Sequence, residues 1–323
     1  VEVSLMPKKI ILDLDPGVDD ALAVLLALYH PEVELVAVTS VGGNVPPGVA
    51  SRNVSGILGL FDPPRWPRVG VASLPDDGLP VEGRYGLPVD CLEAAQLKVA
   101  ELRSPHPAEK VICEEVRAAP GQVTVVALGP LTNIARAFIR DPELPSLINR
   151  LWISGGSVSV GGNITPAAEF NIYCDPKAAR YVFRSHASKV LVPLDVTNKV
   201  LFTFDHLLNL PPATTRVGDF LRTILPPAFR SYREKLGIEG IHIHDTLTLM
   251  AAIQPDLLEY EELAGDVEIE GELCRGATVF DRRRVPEWQR NVTVARKMES
   301  DRAIELVMSG LDHAALRAGP ALP

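Results

Sequence analysis

The sequence predicts an α/β protein built on a mainly parallel open sheet with helices on both faces. Three observations carry that prediction. Short apolar, β-branched runs alternate with apolar stretches of helical length from residue 9 to residue 193. The runs are continuously apolar, as strands buried on both faces must be. Pro, Gly, Asp and Asn cluster at the junctions, where turns are needed.

Residues 9–14 (KIILDL) read as a buried strand, and Pro16-Gly17 ends it. Asp19 and Asp20 then open an apolar helix that Pro31 stops. Residues 34–39 (ELVAVT) form a second strand, and Gly42-Gly43-Asn44 a loop. A helix over 48–61 and a strand over 68–72 follow. Residues 73–90 are rich in Pro, Gly and Asp and predict a long loop, a kind of segment that is often functional. Helices are expected at 92–102 and 108–118, then a strand at 123–128, a helix at 131–139 and a strand at 151–154. A Gly-rich loop at 155–165 leads to a helix at 175–183 and a strand at 189–193. Beyond Asp205 the pattern is mostly helical to Pro255. Short antiparallel strands are expected within 266–295 and a closing helix at 301–310. Together these elements predict a Rossmann-like core with extra C-terminal helices and short antiparallel strands. No linker-like stretch or internal repeat divides the chain, so residues 6–323 read as one domain.

Composition narrows the function. The 323 residues are 46% hydrophobic and 23% charged, with a net charge of −9. An acidic balance argues against nucleic acid and against an anionic membrane surface. The longest apolar stretch, residues 21–29, is too short to span a bilayer. With no leader-like segment at the start, a cytoplasmic protein is expected. Cys91, Cys113, Cys174 and Cys274 are far apart in sequence and form no C-x-x-C pair, so reduced thiols are expected.

The densest chemical feature is DLDPGVDD, with Asp13, Asp15, Asp19 and Asp20 within eight residues. Ligands in open α/β sheets bind at the carboxyl ends of the strands, where this loop falls. Four carboxylates repel one another unless a cation or protons intervene, and their hard oxygens suit calcium or magnesium. Helix capping accounts for Asp19 or Asp20 but not for acids at a strand end. An EF-hand fails, because its sixth and twelfth positions fall on Val18 and Val24 rather than Gly and Glu. A haloacid-dehalogenase-type phosphatase also begins Asp-x-Asp after a strand, but Gly17 stands where it wants Thr or Val. A magnesium-dependent phosphatase is therefore the alternative, with Asp13 as its nucleophile. A non-catalytic nucleoside- or ribose-binding protein is the third reading.

Residues 8–28, KKIILDLDPGVDDALAVLLAL, closely resemble the signature of the nucleoside hydrolases, the inosine-uridine-preferring N-ribohydrolases. VTSVGGN with Arg52-Asn53, ALGPLTNIA, AEFNIYCDPKAA, LDVT and HIHD resemble further segments of that family in order, up to Asp281. The resemblance implies hydrolysis of the N-glycosidic bond of a ribonucleoside to ribose and free base, through an oxocarbenium-like transition state. It implies calcium held by Asp15, Asp20, the backbone carbonyl of Leu128 and Asp245. Asp15 would activate the calcium-bound water as general base, with Asp13 supporting the loop. Asp19, Asn44, Glu169 and Asn171 would grip ribose hydroxyls. His244 would donate a proton to the leaving base, and Tyr232, near Phe229, would stack on it. If that segment is extended, His242 is expected to point the opposite way from His244.

Two departures from the family stand out. Relatives often carry a His in the loop after the third strand, whereas no His lies between His30 and His106 here. Arg84 or Tyr85 is the candidate replacement. Ser154 stands where the family often places Met beside the substrate. The partners implied are a small ribonucleoside and further copies of the chain, as a homodimer or homotetramer.

Overall fold

The computed structural model describes residues 7–72, 92–99 and 105–322. Along the chain run β1 (Lys8–Leu14), α1 (Val18–Tyr29), β2 (Val33–Ser40), α2 (Pro47–Phe61), β3 (Arg68–Val71), β4 (His106–Pro107) and α3 (Ala108–Ala118). Next come β5 (Val123–Ala127), α4 (Thr132–Arg140), α5 (Leu144–Leu147), β6 (Arg150–Ser154), α6 (Phe170–Cys174), α7 (Pro176–Phe183) and β7 (Lys189–Val192). The remainder is α8 (Leu194–Thr197), β8 (Leu201–Thr203), α9 (Phe204–Leu208), α10 (Arg216–Leu236), β9 (Gly240–His242), α11 (His244–Ile253), β10 (Leu258–Leu263), β11 (Gly265–Val267), β12 (Thr278–Phe280), β13 (Val292–Met298) and α12 (Ser300–Ala318).

The main sheet has the order β10-β13-β7-β6-β5-β1-β2-β3-β4. Its pairs are parallel except β10 with β13. From β1 the chain first builds outward through β2, β3 and β4, then returns to β5 on the other side. The strand order therefore switches between β1 and β5, and a crevice opens there at the carboxyl ends.

Side-chain alternation divides the core between the two faces of the sheet. Ile10, Leu12, Leu14 and Val126 pack with α1, α10, α11 and α12. Ile11, Val125 and Ala127 pack with α3, α4 and α7 on the other face.

Several boundaries differ from the sequence pattern. The helix expected at 92–102 is only a turn at Glu93–Ala95 within residues 92–99, and Gln96 at φ 44° ends it. An isolated helix with little apolar surface to dock gains too little to propagate. The antiparallel region begins earlier, at β10, and β13 joins the main sheet beside β7 instead of staying in a satellite hairpin. The closing helix extends to Ala318, because Leu311, Ala314, Ala315 and Ala318 continue its buried stripe. The long loop expected at 73–90, with Arg84 and Tyr85, lies outside the described residues.

Candidate active site

The site grows from the end of β1. Asp13 is fully buried beside the register partners Thr39 and Ala127. Its Oδ1 accepts from Thr39 Oγ1 at 2.7 Å and from Asn133 Nδ2 at 2.7 Å. Asn133 also donates to the Ser40 carbonyl at 2.8 Å, so α4 ties the ends of β1 and β2 together. Burial pushes the Asp13 carboxyl up to about 7, against the pull of those two donors.

Asp15 is also fully buried, and its Oδ2 accepts the Asn44 N–H at 2.6 Å. The close approach needs Gly43, where a Cβ would overlap Asp15 Oδ2. Its Oδ1 lies against Gly129, next to Leu128. Asp20 Oδ2 accepts the Gly17 N–H at 2.8 Å and closes the first turn of α1. Asp20 Oδ1 is buried and meets no hydrogen-bond donor among the described residues.

Asp19 has a job that sequence reasoning missed. Its carboxylate caps α11, accepting from the N–H of Asp245 at 2.8 Å, the N–H of Thr246 at 3.0 Å and Thr246 Oγ1 at 2.6 Å. Sequence pattern offers Asp19 as a cap only for its own helix, α1. The helix it serves begins more than two hundred positions later, and the only local hint is the Thr after Asp245.

Capping draws Asp245 up to the β1 loop. Burial and then the Asp245 charge hold Asp19 well above the usual carboxylate range. Burial, Asp245, Asp15 and Asp19, in that order of raising effect, do the same for Asp20. Asp15, Asp19, Asp20 and Asp245 thus form one self-repelling cluster. Among the described residues no three carboxylate, imidazole or thiol groups close into a ready metal cage. Their oxygens answer protein donors instead, and Ser154 Oγ donates to Asp245 Oδ1 at 2.7 Å. The donor chemistry nonetheless fits a hard cation: carboxylates raised first by burial and then by one another's charge, and an Asp20 Oδ1 that meets no donor among the described residues.

Across the crevice, Asn171 Nδ2 donates to the carbonyls of Leu128 at 2.8 Å and Ser154 at 2.9 Å. Asn171 Oδ1 is buried with no partner among the described residues. Glu169, expected in a loop, is the N-cap of the short helix α6. Its Oε2 accepts from Ile172 N–H at 3.2 Å and Gly156 N–H at 3.0 Å. Gly156 stands at φ 72°, a conformation that disfavours a side chain. The Gly-rich loop is further held by Asp195, which accepts from Val158 and Ser159 N–H at 2.7 and 2.8 Å.

The residues around the histidine pair have neighbours that the sequence did not show. His242 does not point away from His244: the rings stack 5.1 Å apart at 20°. Strand alternation ends at Ile243, where the chain turns into α11. Tyr232 is buried, with its ring edge toward His242 at 6.2 Å, and so sits behind the histidine pair. Phe229 packs against Phe202 and Phe204 in the core. Ser154 Oγ engages Asp245, which sets Ser154 beside the acid cluster.

The profile of the inosine-uridine preferring nucleoside hydrolases matches residues 10–305. The chain belongs to the nucleoside hydrolase family. It is 34% identical to a probable uridine nucleosidase 2 of Arabidopsis thaliana, over 94% of this chain and 97% of that protein. It is 38% identical to the non-specific ribonucleoside hydrolase RihC of Shigella flexneri, over 84% and 88%. A solved plant nucleoside hydrolase, PpNRh1, superposes with a TM-score of 0.85 at 31% identity, covering 95% of this chain and 99% of that one. A purine-preferring ribonucleoside hydrolase from Gardnerella vaginalis does so with a TM-score of 0.85 at 29% identity and the same coverage. Nucleoside hydrolases are glycosidase-type enzymes that act on ribonucleosides, and the family is metal-dependent. Among the described residues, no helix is long and apolar enough to cross a membrane.

Proposed function

We propose that this nucleoside hydrolase uses calcium, with Asp15, Asp20, Asp245 and the Leu128 carbonyl as its ligands. The observation that carries this reading is the convergence of Asp15, Asp20 and Asp245 at the switch point of the sheet. When bound, the ion lowers the pKa of water and orients the ribose diol. Asp15 takes the proton from the attacking water. Its Oδ1 lies on the Leu128-Gly129 side of the site, and its Oδ2 holds the Asn44 N–H.

Asn171 Oδ1 and the Glu169 carboxylate accept from ribose hydroxyls. Asn44 and Asp19 hold the opposite side of the sugar while Asp19 also caps α11. Positive charge develops on the ribosyl ring as the glycosidic bond stretches. Buried carboxylates stabilise that charge more than they stabilise the neutral substrate, which is the condition for rate acceleration. His244 supplies a proton to the departing base.

Residues 6–323 are read as one domain, since both hydrophobic clusters pack on the same sheet. Assembly as a homodimer or homotetramer, and a cytoplasmic setting, rest on the resemblance; light scattering reads the first.

A panel of purine and pyrimidine ribonucleosides tests the function. Base release by the wild type, and its loss in Asp15→Ala, is the expected result. Full activity in Asp15→Ala removes the assigned base while sparing the reaction class.

A further inference from the structure

We propose that Thr197 is a positioning residue that fixes which nitrogen of His244 is offered to the leaving base. The inference rests on the reading of His244 as the proton donor and adds the group that aims it.

The geometry comes from one helical turn. In α8 (Leu194–Thr197), Asp195 and Thr197 are two residues apart, so they leave opposite sides of the helix. Asp195 turns to the N–H groups of the Gly-rich loop. Thr197 turns to α11, where its Oγ1 lies 2.7 Å from His244 Nδ1, with both side chains buried. The Thr197 hydroxyl also lies 3.4 Å from the Pro193 carbonyl, which fixes the rotor from behind.

Stacking on His242 sets the plane of the His244 ring, and Tyr232 backs His242. A stacked ring can still flip by half a turn about its Cβ–Cγ bond, which exchanges Nδ1 with Cδ2. The Thr197 bond removes that freedom, because only one ring orientation brings Nδ1 to Oγ1. Whichever partner carries the proton of this bond, Nδ1 is committed to Thr197. Nε2 is then the nitrogen left to carry a proton to the base. Thr248 Oγ1, donating to the His244 carbonyl at 2.9 Å, holds the same turn from within α11.

The test separates proton delivery from all other tasks of the site. A purine or pyrimidine ribonucleoside needs its base protonated on departure. A p-nitrophenyl riboside does not, because nitrophenolate leaves as an anion. In calcium-saturated enzyme, Thr197→Val should lower kcat on ribonucleosides by about 10- to 100-fold, within the range of general acid catalysis. It should leave the nitrophenyl riboside rate within about threefold, which also reports an intact fold. Thr197→Ser, which keeps the hydroxyl, should restore ribonucleoside turnover. Equal loss on both substrates, or no loss on either, overturns the proposal. His244→Gln distinguishes this failure from that of the parent reading. If His244→Gln loses ribonucleoside turnover selectively and Thr197→Val does not, only the positioning role falls. If His244→Gln loses nothing, or loses both alike, the acid assignment falls and the positioning role with it.

Discussion

Replacing Asn133 by alanine removes a buried side chain that joins the ends of β1 and β2. Two buried acceptors then lose a donor: Asp13 Oδ1 at 2.7 Å and the Ser40 carbonyl at 2.8 Å. A buried polar group left unsatisfied costs about 1–3 kcal/mol. Thr39 still donates to the same Asp13 oxygen, and Asp13 can protonate, so the sum falls toward the lower end. The expected loss is about 3 kcal/mol. The assay is the urea midpoint in chelator, where ligand binding adds nothing to stability. Losing the Asn133 bond also moves the Asp13 carboxyl further up from about 7, since that bond pulls it down. Thr39→Val alone costs less, and the double variant departs from additivity because both donors share one oxygen. A loss below about 1 kcal/mol in Asn133→Ala would refute the idea that this amide locks the strand ends.

Three further outcomes follow from the packing. Lys189 is buried, its Nζ donating to the carbonyls of Ser185 at 2.9 Å and Asn291 at 3.0 Å, and burial lowers it to about 8 from 10.5. The unfolded chain therefore holds this proton more tightly than the folded one between those values, so stability rises with pH across that window. Melting temperature followed over it should rise for the wild type relative to Lys189→Met, and parallel curves would contradict the assignment. Asp19→Ala removes the acceptor for three donors on α11 and should cost about 1–2 kcal/mol in calcium-saturated protein, read by urea unfolding. An unchanged midpoint would deny the cap. Asp195→Ala frees the N–H groups of Val158 and Ser159 and should raise KM more than it lowers kcat, because the loop beside Glu169 loses its anchor. A change confined to kcat would count against that role.

The order of the fold was legible where physics is local. Residues 8–29 change from strand to helix through Pro16-Gly17, and both boundaries lie close to where the pattern put them. The sheet order from β1 outward was not legible, nor the parallel docking of β13, since pairing depends on distant registers. The same division holds in the site. Four acids in one loop announce a charged centre. Their separate partners do not show, because Asp19 meets Thr246 and Asp245 meets Ser154 only after the sheet has folded. Thr197 and Asn133 fall inside the LDVT and ALGPLTNIA segments, but those runs do not show which distant side chains they meet. Tyr232 follows the usual fate of an aromatic at helical spacing, which is burial.

The central claim is that the acid cluster works as a calcium-dependent ribosidase site. The most direct measurement is base release from a ribonucleoside by chelator-stripped protein as calcium is added back. The account predicts no release in chelator and recovery of the full rate with calcium. A stripped, metal-free enzyme that keeps the full rate would contradict it.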